Sequence, residues 1–175
     1  LITIYNAISG ISIPEIEKKY ENCENYGVFK KDLAEIVAKL MAEIQSKYYD
    51  SSSAIQVIGC VLSDTSLLDD TGEYVFSEDD FCNDFHKMIF GTIYDLITTG
   101  AEKLSIKIIE DYLKDKEKSY ALYKKNNGAQ WLKEVFSNAD ILNFKYYYNR
   151  LKKMTLLRTY ESIGYKVIQT DAKIG

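Results

Sequence analysis

Across its whole length the chain has a single proline, Pro14, and only nine glycines among 175 residues. These two residue types interrupt helices most strongly, one by removing an N–H and clashing with the preceding turn, the other through backbone entropy. A chain nearly free of them, and rich in Leu, Ile, Lys, Glu and Tyr, is expected to be all-α.

The apolar spacing bears this out along most of the chain. In residues 30–48, Leu33, Ile36, Val37, Leu40, Met41 and Ile44 recur at helical steps, which predicts an amphipathic helix. Asp50 and the serines Ser51, Ser52 and Ser53 then interrupt it and mark a boundary or linker, because short polar side chains compete for backbone hydrogen bonds. Residues 54–62, AIQVIGCVL, are continuously apolar. No alternating partner run lies nearby, so a buried helix is expected rather than a strand.

The stretch FSEDDFCNDFHKMIF, residues 76–90, combines an acidic cluster with a cysteine and His86, the one histidine of the chain. Ser77 followed by Glu78, Asp79 and Asp80 has the order of an N-cap with carboxylates at the positive end of a helix. From Phe81 onward Phe85, Met88, Ile89, Ile93, Leu96 and Ile97 form one face, ending at Thr98, Thr99 and Gly100. Further helices are expected at residues 105–115, with Ile106, Ile109 and Leu113 as the stripe, and at 129–136 after the turn Asn126, Asn127, Gly128. The last segment, residues 141–168, carries two apolar stripes. Tyr147, Leu151, Met154, Leu157, Tyr160, Gly164 and Val167 form one, and Tyr148, Thr155, Leu156 and Ile163 the other. Two stripes need two partners, so Tyr147, Leu151, Met154 and Leu157, with Arg158 beside them, are the candidate self-association or partner surface.

Charge is unevenly spread. Residues 64–84 hold eight carboxylates and no Lys or Arg, whereas residues 141–168 hold six cations against Glu161. The two regions are expected to orient one another, within a chain or between chains. Tyr146, Lys145, Arg150, Lys152 and Lys153 also have the composition of a single-stranded nucleic-acid contact, with rings to stack and cations for phosphates.

Other chemistry finds little support. One histidine and the separated cysteines Cys23, Cys60 and Cys82 provide neither a zinc set nor a disulfide framework. The P-loop and dinucleotide glycine patterns are absent, and the acidic cluster has no accompanying nucleophile. No catalytic residue, cofactor or metal is therefore expected. No apolar run or leader pattern points to a membrane, and a soluble cytoplasmic protein is expected.

Taken in order, AIQVIGCVLSD, FSEDDFCNDFHKMIF, Gly100, NGAQWLKEV and YYYNRLKKMTLLR resemble the N-terminal domain of DnaB-type replicative DNA helicases over residues 54–168. That resemblance implies a compact helical bundle followed by a helical hairpin that joins neighbouring subunits into a collar on a hexameric ring. It also implies a non-enzymatic role in DNA replication, with primase or a helicase loader as partner. The bundle would occupy about 54–126 and the hairpin about 127–168. Two departures stand out: Ser137, Asn138, Ala139 and Asp140 replace the usual Pro-containing turn, and Asn127 replaces the first glycine of a Gly-Gly pair. The helicase ATPase motor has no counterpart in this sequence.

Residues 1–50 resemble something else. LITIYNAISGISIPEIEKKY and YGVFKKDLAEIV are similar to the C-terminal helical part of bacterial tryptophanyl-tRNA synthetases, without the catalytic half. The chain thus reads as a composite: a small helical extension in residues 1–50 and a helicase-like domain in 51–175. It opens on Leu1 rather than Met, which suggests a cloned or processed piece.

Overall fold

The computed structural model describes residue 31, residues 34–39, residue 42, residues 47–69 and residues 72–165. Most of these residues are helical, with no strand among them. The chain divides into two compact units. One spans Asp50–Lys153, and the described residues of the other are those up to 49 together with 154–165.

In the first unit, helix α1 is Ser51–Ser63. The serine run expected to be a linker is instead its first turn. Asp50 caps it, its carboxylate accepting the Ser53 N–H at 3.0 Å, so one of the unpaired donors of the helix start is satisfied. Ala54, Val57, Ile58, Cys60, Val61 and Leu62 are all buried, which makes α1 the centre of the core. A 3-10 turn, Thr65–Leu68, follows.

Ser77 was expected to start the next long helix but starts only a 3-10 turn, Glu78–Asp80. Helix α2 begins later, at Asp84–Thr98, because Asn83 supplies a second cap and accepts the N–H groups of Phe85 and His86 at 2.9 and 3.1 Å. It closes as expected: Gly100 takes a left-handed φ of 101°, and its N–H and that of Ala101 bond back to Ile97 and Leu96. Helix α3, Ile106–Lys114, is capped by Ser105 and buries Ile109 and Leu113. Helix α4, Glu117–Lys125, is absent from the periodicity reading; with buried Tyr123 as its one core anchor, it shows little apolar stripe. Helix α5 is Gly128–Ser137, and after the turn Ile141–Asn143 comes α6, Phe144–Ser162.

Two glycines permit close approach. A Cβ on Gly59 would lie 2.8 Å from the Val135 carbonyl oxygen, so α1 and α5 cross where only glycine fits. Gln56 fastens the same crossing, donating to the Asn138 carbonyl and accepting the Asp140 N–H, both at 3.0 Å. A Cβ on Gly128 would meet the Tyr123 ring at 2.1 Å. Beside it Asn127 holds φ at 49°, a left-handed conformation that Asn tolerates better than most residues. This explains physically how Asn127 stands in for a glycine.

In the second unit the helix expected at 30–48 is helical at residues 31, 34–39, 42 and 47 and has given way to a turn at Tyr48. Val37 is buried, while Ile36 is 56% exposed. Leu33, Leu40, Met41 and Ile44 lie outside the described residues, as do residues 1–30 with their synthetase-like runs. Arg158 is buried and donates to the Tyr48 carbonyl and, at 3.0 Å, to Thr155 Oγ1. Lys47 pairs with Glu161 at 2.8 Å.

Candidate interaction surfaces

The acidic and basic regions meet within the first unit. Residues 73–80 lie along the first half of α6 and are tied to it at three levels. At one end Lys145 Nζ donates to Glu73 at 2.7 Å, an exposed pair that lowers the glutamate pKa and raises that of the lysine through their hydrogen bond. In the middle the Tyr148 hydroxyl donates to the Val75 carbonyl at 3.1 Å and accepts the Val75 N–H at 2.9 Å. At the other end Lys152 Nζ donates to both carboxylate oxygens of Asp80 at 2.9 Å.

Asp80 is fully buried, and it also accepts the Ser77 N–H at 2.8 Å. A buried carboxylate is tolerable when opposite charge and donors surround it, as here. Rings fill the space between the polar ties. Tyr74 meets Phe144 and Tyr148 edge-on at 4.9 and 5.0 Å, and Phe76 meets Tyr148 at 5.2 Å. The sequence reading missed Tyr74 and Phe144; the signal was available, since Phe144, Tyr148 and Leu151 are spaced four and three apart and are the buried face of α6.

This arrangement places each candidate residue. Leu151, 1% exposed, and Arg158, 7% exposed, are turned into the protein. Tyr147, Met154 and Leu157 are partly exposed, and Tyr147 donates to Asp140 at 3.4 Å. Leu156 and Tyr160 are exposed on the later part of α6, and Ile163 is exposed in the turn just after it. Of the cations, Lys145 pairs with Glu73, Lys152 with Asp80, and Arg150 with Asp50. Lys153 and Tyr146 are exposed. Lys166 and Val167 lie outside the described residues.

His86 is a core residue. It is buried and stacked on Trp131, ring centroids 5.3 Å apart, and burial pushes its pKa down to about 4. Burial pushes the Cys60 thiol up to about 11, which makes it a poor nucleophile. Among the described residues no His, Cys, Asp and Glu group could hold a metal ion, and no helix is long and apolar enough to cross a membrane.

A family model described as the DnaB-like helicase N terminal domain matches residues 46–153. The SPbeta prophage-derived uncharacterized protein YorI of Bacillus subtilis strain 168 is 34% identical over 118 residues, covering 67% of this chain and 23% of that protein. Tryptophan–tRNA ligases are similar over a shorter span. The enzyme of Ureaplasma parvum is 43% identical over 60 residues, 33% of this chain and 18% of the ligase, and that of Bacillus subtilis is 46% identical over 50 residues, 29% of this chain and 15% of the ligase. The chain therefore spans less than a quarter of each of these relatives. No solved structure matches it significantly.

Proposed function

The chain belongs to the family of the DnaB-like helicase N-terminal domain, and we propose from this that it is a non-catalytic interaction domain of a replicative helicase, self-associating into a collar and docking primase or a loader. Domains of this family take part generally in oligomerisation and helicase–primase interaction. The observation that carries the reading here is the apolar surface exposed along the later part of α6 and the turn that follows it. Met154 and Leu157 are partly exposed, and Leu156, Tyr160 and Ile163 expose 52%, 44% and 43% of their surface. Met154 and Leu157 belong to one stripe and Leu156 and Ile163 to the other, and exposed apolar side chains gathered in one short stretch mark a surface for association.

The proposed interface uses Tyr147, Met154 and Leu157, extended by Leu156 and Tyr160; Leu151 and Arg158 are buried and are left out of it. Light scattering on the whole chain tests this. A dimer or larger assembly that falls to monomer in Leu156→Asp and Leu157→Asp variants with unchanged melting supports the proposal, and unchanged mass in both variants refutes it.

Single-stranded nucleic acid is the second reading, resting on exposed Tyr146 and Lys153. Lys145, Arg150 and Lys152 already face carboxylates, which reduces the positive charge left for phosphates. Binding that weakens steeply with salt and is lost in Lys153→Glu would favour this reading over the first.

A further inference from the structure

Gly91 sits inside α2, where glycine weakens a helix relative to alanine. The reasons that hold for other glycines of the chain do not apply to it. Gly59 and Gly128 allow close packing, and Gly100 and Gly164 adopt positive φ, but a Cβ on Gly91 would meet nothing within 4 Å. That open space belongs to a surface pocket of about 340 Å³.

The floor of the pocket is aromatic: Phe90 stacks on Phe81 at 4.5 Å and packs against Phe76 at 4.8 Å. Its size is at the low end for ligand sites and suits one or two large side chains. The rim is polar and net acidic. Glu78 pairs with Lys87 at 3.1 Å, while Asp95 accepts from the Tyr112 hydroxyl at 2.9 Å and from Lys116 at 3.5 Å. Asp84, Lys87, Gly91 and Asp95 follow one another at steps of three and four, so they share one side of α2. The charged residues that line the pocket are Glu78 and Asp95 against Lys87, while Asp79 and Asp84 are exposed neighbours of it in sequence rather than part of its lining. Tyr94, 46% exposed, offers a ring face at the edge.

We propose that this pocket is a docking site for a basic segment of another protein, which inserts one large apolar side chain over Gly91 and lays its Lys or Arg flanks on Glu78 and Asp95. Three observations support that chemistry. The aromatic floor favours an apolar anchor, the net acidic rim repels acidic peptides and nucleic acid, and Tyr94 favours a guanidinium by cation–π attraction. None of the residues involved is among those proposed for the α6 interface, so the two proposals are tested by different substitutions.

Fluorescence anisotropy tests it on the full chain with three labelled peptides: Arg-Lys-Trp-Leu-Lys-Arg, the same with Ser-Ser in place of Trp-Leu, and Glu-Asp-Trp-Leu-Asp-Glu. The first is expected to bind and the other two to bind at least about tenfold more weakly. Gly91→Leu adds a Cβ that meets nothing within 4 Å and replaces a helical glycine, so it should melt at the same or a higher temperature, yet weaken the first peptide by about tenfold or more. Glu78→Lys with Asp95→Lys should weaken it similarly. The proposal is overturned if the first peptide fails to bind at about 1 mM, if the Ser-Ser peptide binds as well, or if Gly91→Leu binds like the wild type. It is equally overturned if Gly91→Leu lowers the solution mass, since a second copy would then be the occupant.

Discussion

Replacing Lys152 with Met removes a cation while leaving the carboxylate it serves in place. Asp80 has no solvent exposure, and its two oxygens receive Lys152 at 2.9 Å. Breaking a buried pair by deleting one partner costs about 3–5 kcal/mol. Here the lysine side chain is 31% exposed and the Ser77 N–H still reaches Asp80, so the lower range applies, about 2–3 kcal/mol. For a chain of this size that corresponds to a fall in Tm of about 4–12 °C. Circular dichroism melts of Lys152→Met measure it. Lys145→Met is the control, because its pair with Glu73 is exposed and screened, and its Tm should barely change. The double variant Asp80→Asn with Lys152→Met should regain much of the loss, since no charge remains buried. Should Lys152→Met melt like Lys145→Met, or should the double variant be no better than the single, the tie between the acidic segment and α6 is not electrostatic and the reasoning fails.

Three further outcomes follow from the geometry. Gly59→Ala forces a methyl to within 2.8 Å of the Val135 carbonyl, and overpacking of this kind should cost about 1–3 kcal/mol in urea unfolding. His86 titrates at about 4 when folded, against its ordinary 6.5. The unfolded chain therefore binds its proton first, and stability should decline as pH falls from the ordinary value toward the folded one; His86→Gln should flatten that decline, read by the fluorescence of the single tryptophan, Trp131. Leu151→Ala should cost about 2–5 kcal/mol and change Tm, whereas Leu156→Ala should leave Tm near wild type, because the first side chain is buried and the second is half exposed.

The helices were legible where apolar spacing and caps agreed. Ser105 with Ile109 and Leu113, and Gly100 after α2, are local signals that the structure retains. Starts were misplaced where two caps lay in series: Ser77 and Asn83 both have the right chemistry, and only tertiary burial of Asp80 decides that the first opens a short turn. Helix α4 escaped notice because Tyr123 is its one buried anchor, which leaves no stripe to detect. The candidate surface was legible in composition but not in orientation. Tyr147 and Leu151 share a spacing with Met154, yet the buried face is set by Phe144, Tyr148 and Leu151, a choice made by aromatic partners in residues 74–76 that lie far away in sequence. The pocket over Gly91 left almost no trace, since a helical glycine has no signature for the space above it.

Asp50 caps α1, and the same carboxylate receives Arg150 from α6. Those residues stand at the opening and close to the finish of the unit Asp50–Lys153, one hundred positions apart in sequence. The loop is closed by a hydrogen-bonded ion pair, so the place where the unit is entered is also the place where it is left. Modules with adjoining ends can be spliced into a host chain at a single point without opening their cores. In this unit one aspartate holds the start beside the last helix, although that helix runs on past Lys153 into the other unit.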